Sequence, residues 1–197
     1  MTSGHPPRRR KSLRLASWDY GWAGAYFVTI VTHGRAPLFG VVVDGAVRLN
    51  GYGDIAAQCW EEIPAHFPHA IADVYVVMPN HVHGIVILDN PSSLTEHGVG
   101  AYHDTPLRQR AQQNDALLPT HAPPGSLGVI MRMYKGSVAR RINQSRWKGG
   151  GPVWQRNYYE HIVRNERELN ATREYILYNP GRWDDDPENP ARPAGRS

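Results

Sequence analysis

Three stretches of β-branched and aromatic residues predict strands: 25–32 (AYFVTIVT), 74–78 (VYVVM) and 81–88 (HVHGIVIL). Only Pro79 and Asn80 separate the last two, so they predict an antiparallel hairpin closed by a tight turn. A second hairpin is predicted where 41–43 (VVV) and 46–49 (AVRL) flank Asp44-Gly45, a dipeptide suited to the left-handed backbone of a two-residue turn. Elsewhere the apolar period is helical. Ile55, Cys59 and Ile63 recur every four residues and predict a helix over about 54–63, with Asp54 as cap and Pro64 as stop. Leu127, Ile130, Met131, Tyr134 and Val138 share one face of a second helix that Ser126 would cap. A short strand is predicted at 153–156 (VWQR), after the break at Gly149, Gly150 and Gly151. The last helix starts near Asn165 with Glu168 three residues on, as in a capping box, and ends at Asn179-Pro180. Ile162, Leu169 and Ile176, seven apart, mark its buried side.

Mixed strands and helices without a run of βαβ units predict an α+β plan, an antiparallel sheet covered by helices. The chain divides into a basic N-terminal arm (1–18), one folded domain (19–183) and an acidic, Pro-rich tail (184–197). Within the domain, 90–125 has no apolar period and reads as an insertion or flexible loop. At 197 residues and 41% apolar, one core is the expectation, and no apolar run approaches the ~18 residues that span a bilayer. The lone Cys59 leaves no partner for an internal disulfide or a cysteine zinc cluster, and suits a reducing cytoplasm.

Charge changes the picture through its distribution more than through the net +4. Basic residues gather at Arg8, Arg9, Arg10 and Lys11 and again at Arg132, Lys135, Arg140 and Arg141, as a partner with a phosphate backbone would require; the alternative is a solvated face. His81 and His83 stand two apart on a strand, so both rings project from one face and can share a divalent ion. A satisfied polar pair remains the other reading, and Ile85 breaks the alternation expected of histidine-triad nucleotide hydrolases. Tyr175 and Asn179 lie one turn apart on the last helix, setting a phenol beside an amide oxygen able to act as a third ligand. Pro180 disfavours a helical Asn179, which makes it the last residue or the cap. From the residues alone, the preferred reading of Tyr175 is a partly buried aromatic packed beside the Ile162/Leu169/Ile176 stripe.

Taken in order, 24–30 (GAYFVTI), 78–85 (MPNHVHGI), 154–161 (WQRNYYEH) and 175–180 (YILYNP) resemble the REP-associated tyrosine transposases of the HUH single-tyrosine superfamily. The resemblance runs from about Arg8 to Trp183. It implies a ferredoxin-like sheet with His81 and His83 on a central strand, and a C-terminal helix carrying the nucleophile Tyr175. It also implies Mg²⁺ or Mn²⁺ held by His81, His83 and Asn179, and cleavage and rejoining of DNA through a 5′-phosphotyrosine. The expected partner is single-stranded or hairpin DNA, met by the basic residues above with Trp154 and Arg156. The expected setting is the bacterial cytoplasm and nucleoid, as monomer or homodimer. Tyr134, Tyr158, Tyr159 and Tyr178 are rival phenols; Tyr134 falls on an apolar helix face, and His161 reads as structural. Two other functions stay open: a DNA-hairpin-binding protein without catalysis, and a metal phosphoesterase that uses water.

Overall fold

A computed structural model describes residues 23–89, 124–146 and 150–190. Its elements run β1 (Gly24–Val31), β2 (Gly40–Val43), β3 (Ala46–Leu49), α1 (Gly51–Glu61), α2 (Ile63–His66), β4 (Ala70–Val77), β5 (His81–Leu88), α3 (Leu127–Ser145), β6 (Tyr159–Val163) and α4 (Glu166–Tyr178). The main sheet has the order β4-β5-β1-β6, antiparallel at every pairing. Setting aside the β2–β3 hairpin, the chain traces strand, helix, two strands, helix, strand, which is the ferredoxin-like α+β plan expected. A further helix, α4, then closes the other face.

The pleat sends alternate residues of the two central strands to opposite faces. Tyr26, Val28 and Ile30 of β1 and Val82 and Val86 of β5 join Trp60 of α1 and Ile130, Met131, Tyr134 and Val138 of α3 in the core. Gly84 is the small residue in that row: a Cβ there would lie 2.3 Å from the Trp60 ring, so its absence lets the indole settle onto the sheet. The opposite face carries Phe27 and Thr29 of β1 and His81 and His83 of β5, in a register that sets Thr29 against His83.

Several local expectations need correcting. The first helix starts at Gly51, because the Asn50 side chain accepts from the N–H groups of Tyr52 and Gly53; Asp54 lies inside the first turn. Ser126 stands at the N-cap of α3, but its hydroxyl makes no capping bond. Residues 153–156 contribute only a single bridge, Thr32 to Trp154. Ile162 belongs to the edge strand β6, which pairs with β1 over Tyr159–Val163; a polar, five-residue edge strand has no apolar run to announce it. The Asp44-Gly45 turn forms as expected, with φ of 51° and 71°. The arm 1–18 and nearly all of 90–125 lie outside the described residues.

Candidate active site

His81 and His83 sit side by side on β5, fully buried or nearly so, with ring centroids 4.4 Å apart. Each ring is held from behind through Nδ1. Asn80 donates from Nδ2 to the carbonyls of Arg35 and Glu188, which turns its Oδ1 toward His81 Nδ1 at 2.9 Å. The His81 proton therefore lies on Nδ1, leaving the Nε2 lone pair directed into the site. His83 Nδ1 meets the Thr29 hydroxyl at 2.8 Å, and its Nε2 faces the Tyr175 hydroxyl at 3.4 Å. Desolvation by burial lowers both histidine pKa values to about 3, with the neighbouring Arg35 charge adding to the effect at His81 and His81 adding to it at His83. Both rings are neutral, the form a metal needs.

Tyr175 reaches this point because α4 packs across the same face. Asn165 caps that helix by accepting from Glu168 N–H, and Ile176 supplies its buried anchor. Phe27 fills the space beside the tyrosine, stacking on His83 and meeting Tyr175 edge-on. Burial raises the phenol pKa above its ordinary value and the Asp186 carboxylate raises it further, so Tyr175 is protonated and needs a cation or base to become a nucleophile. Tyr134 is a core residue whose hydroxyl donates to Ala56 O, as its apolar position implied. Tyr178 is 65% exposed.

The third wall comes from residues past α4. Asn179 keeps helical dihedrals (φ −57°, ψ −42°) despite Pro180 and is 3% exposed. Its Nδ2 donates to Asp186 Oδ2 at 3.1 Å, and Asp186 Oδ2 lies 3.9 Å from His81 Nε2. Ligand atoms of His81, His83 and Asp186 all fall within 4.8 Å of one another. Two buried polar atoms in this corner, His81 Nε2 and Asn179 Oδ1, have no hydrogen-bond partner. Orphaned acceptors beside a buried carboxylate are what a cation would satisfy, so the donor set fits a divalent ion. Asp186 was hidden in the run Asp184-Asp185-Asp186, which reads as a solvated tail. A 3-10 turn over Pro180–Asp185 folds back and buries only the third aspartate. Asn80, read from the sequence as a turn former, also orients His81.

The expected DNA contacts separate into groups. Arg8, Arg9, Arg10 and Lys11 lie outside the described residues. Arg132 and Arg140 are exposed on α3, across the sheet from the histidines, and Arg156 is exposed on the loop before β6. Lys135 is turned inward, donating to the carbonyls of Gln155, Arg156 and Asn157, and Arg141 forms a two-bond pair with Glu62. Trp154 is a correction: it is 8% exposed, packs against Phe39 and Tyr134, and donates its indole N–H to Lys135 O, which leaves no open ring face for a base. His161 pairs with Glu168 at 2.7 Å.

No protein-family model matches the chain. It is 38% identical over 179 residues to an uncharacterised protein of Haemophilus influenzae, covering 90% of this chain and 91% of that one. It is 23% identical over 164 residues to a protein of the same organism named as a candidate REP-associated tyrosine transposase, covering 82% and 73% of the two chains. Among solved structures, it aligns with a REP-associated tyrosine transposase bound to a REP hairpin at a TM-score of 0.53 and 16% identity. That alignment covers 90% of this chain and 80% of the other.

Proposed function

The chain resembles the REP-associated tyrosine transposases in fold and in sequence, and from that premise we propose that it cleaves and rejoins single-stranded or hairpin DNA through Tyr175. The observation that carries this reading is the convergence of a phenol, two neutral imidazoles and two orphaned acceptors. Tyr175 Oη stands 3.4 Å from His83 Nε2, and His81 Nε2 and Asn179 Oδ1 lack partners in the same corner. A protein that only binds DNA needs none of this. His81, His83 and Asp186, with Asn179 Oδ1, would hold Mg²⁺ or Mn²⁺. When bound, the ion supplies Lewis-acid charge for a phosphate oxygen and draws down the pKa of the adjacent phenol.

The protein's own contribution is positional. Thr29 and Asn80 hold the two rings from behind, so the Nε2 atoms need no reorganisation. The helix α4 presents Tyr175 to the histidines of its own chain. The Tyr175 oxygen bonds to phosphorus as the bond from phosphorus to O3′ breaks; the leaving strand takes a proton as its 3′-hydroxyl, and the 5′ side stays on the enzyme as phosphotyrosine. A second 3′-hydroxyl reverses the step without an external energy source, since one phosphodiester bond is exchanged for another.

The test incubates hairpin DNA bearing a single-stranded flank with Mg²⁺ or Mn²⁺ and resolves protein–DNA adducts on a denaturing gel. Wild type and Tyr178→Phe are expected to form the adduct, while Tyr175→Phe binds the DNA without forming it. An adduct that survives in Tyr175→Phe refutes the nucleophile. Cleavage with no adduct in wild type means water attacks, and binding with neither identifies a non-catalytic hairpin binder.

A further inference from the structure

A cleft of about 330 Å³ opens beside Tyr175, between β6 and α4. Phe27 and Tyr159 wall it, their rings 6.3 Å apart and edge to face, and His161 and Glu168 line it along with Tyr175. The register sets His161 directly opposite Phe27, so both side chains rise from one face of the sheet. Glu168 precedes Tyr175 by two turns of α4. The volume sits at the lower end for small-molecule sites, and aromatic walls with a few polar groups are the usual composition of such sites. Tyr159 is 45% exposed, which keeps the cleft open to an incoming ring.

We propose that this cleft is a nucleobase pocket for the nucleotide beside the reacting phosphate, selecting a base with an exocyclic amino group over thymine. The position of the pocket along the DNA rests on the strand-transfer reading; its chemistry does not. Tyr159 and Phe27 supply the stacking surface, a contact that tolerates any base. Selection comes from the polar wall. Glu168 Oε1 accepts from His161 Nε2 at 2.7 Å and Oε2 accepts from the Arg164 N–H at 2.8 Å, each oxygen keeping a second lone pair. The bond to His161 holds the carboxylate well inside its charged range. His161 donates from Nε2 into that bond and so fixes the orientation of the carboxylate. The wall thus presents the two acceptor oxygens of Glu168. Adenine, cytosine and guanine offer an exocyclic amino group to it, whereas thymine has none and brings its single N3–H flanked by two carbonyl oxygens that the carboxylate repels.

The experiment measures binding of fluorescently labelled dA4, dC4 and dT4 to the full chain at one salt concentration. Wild type is expected to favour dA4 and dC4 over dT4 by on the order of tenfold. Tyr159→Ala should weaken dA4 and dC4 by on the order of tenfold, and Tyr159→Phe, which keeps the ring, should restore them. Glu168→Gln keeps the bond to Arg164 N–H and should erase the preference for dA4 and dC4. Equal binding of the three tetramers by wild type, or a Tyr159→Ala variant that binds as wild type does, overturns the pocket. The adduct assay separates this from the parent reading: an adduct without base preference removes the pocket alone, and base preference without an adduct removes strand transfer alone.

Discussion

Asn80 and Asp186 shape the site as much as His81, His83 and Tyr175 do. Asn80 spends both amide protons on backbone carbonyls and its oxygen on His81, so one side chain sets a tautomer. Asp186 sets negative charge near His81 Nε2 and raises the Tyr175 pKa, and a bound cation would counter both effects. The burial of two neutral histidines has a measurable consequence for the metal-free protein. Their folded pKa values lie near 3, below the unfolded 6.5, so the unfolded chain takes up protons first as pH falls. Stability is complete above about pH 6.5 and declines toward pH 3, by up to about 2.7 kcal/mol per pH unit for the two groups together. Urea unfolding in chelator at pH 7.5, 6 and 5 measures the decline, and His81→Gln/His83→Gln should flatten it. A slope equal in both proteins would contradict the buried, neutral assignment.

At the level of elements, the sheet is a partition. One face of β1 and β5 packs against α1 and α3, and the other presents the site to α4. Gly84 lies on that partition, between His83 and Ile85, and faces Trp60. Gly84→Ala would press a methyl group into a fully buried indole that Tyr75 and Tyr134 hold in place. The expected loss is about 1–3 kcal/mol, read as a lower urea midpoint with unchanged slope. The strands and helices with strong apolar periods were legible from the chain alone, including the β4–β5 hairpin and the Asn165 cap. The edge strand β6 was not: Tyr159, Glu160 and His161 have no alternation of their own, and their pairing with β1 is long-range.

For the whole molecule, the site and the basic helix α3 lie on opposite faces of the sheet, so DNA that reaches Tyr175 meets Arg132 and Arg140 only by wrapping round an edge. Lys135 and Arg141 are already engaged within the protein. This shifts the expected electrostatic share toward Arg8, Arg9, Arg10 and Lys11. Deleting residues 1–12 should reduce the slope of log affinity against log salt by up to about 3 on single-stranded DNA, at ~0.7 for each phosphate the arm neutralises. An unchanged slope would show that the arm touches no phosphate. No helix among the described residues is long and apolar enough to cross a membrane.

The sequence alone determined what depends on local spacing. His81 and His83 share a face because strands alternate, and Tyr175 and Asn179 share one because helices repeat near four residues. The α+β plan followed from where each period changes. Tertiary structure decided what depends on distant chain segments meeting. Only the fold-back after Pro180 buries Asp186 while leaving Asp184 and Asp185 exposed. Only the packing of α3 onto the core turns Trp154 from a candidate stacking surface into an interior side chain. Only the pairing of β6 with β1 brings His161 and Tyr159 beside Tyr175. Identical residue types in one run differ by burial alone, and burial is a property of the closed fold.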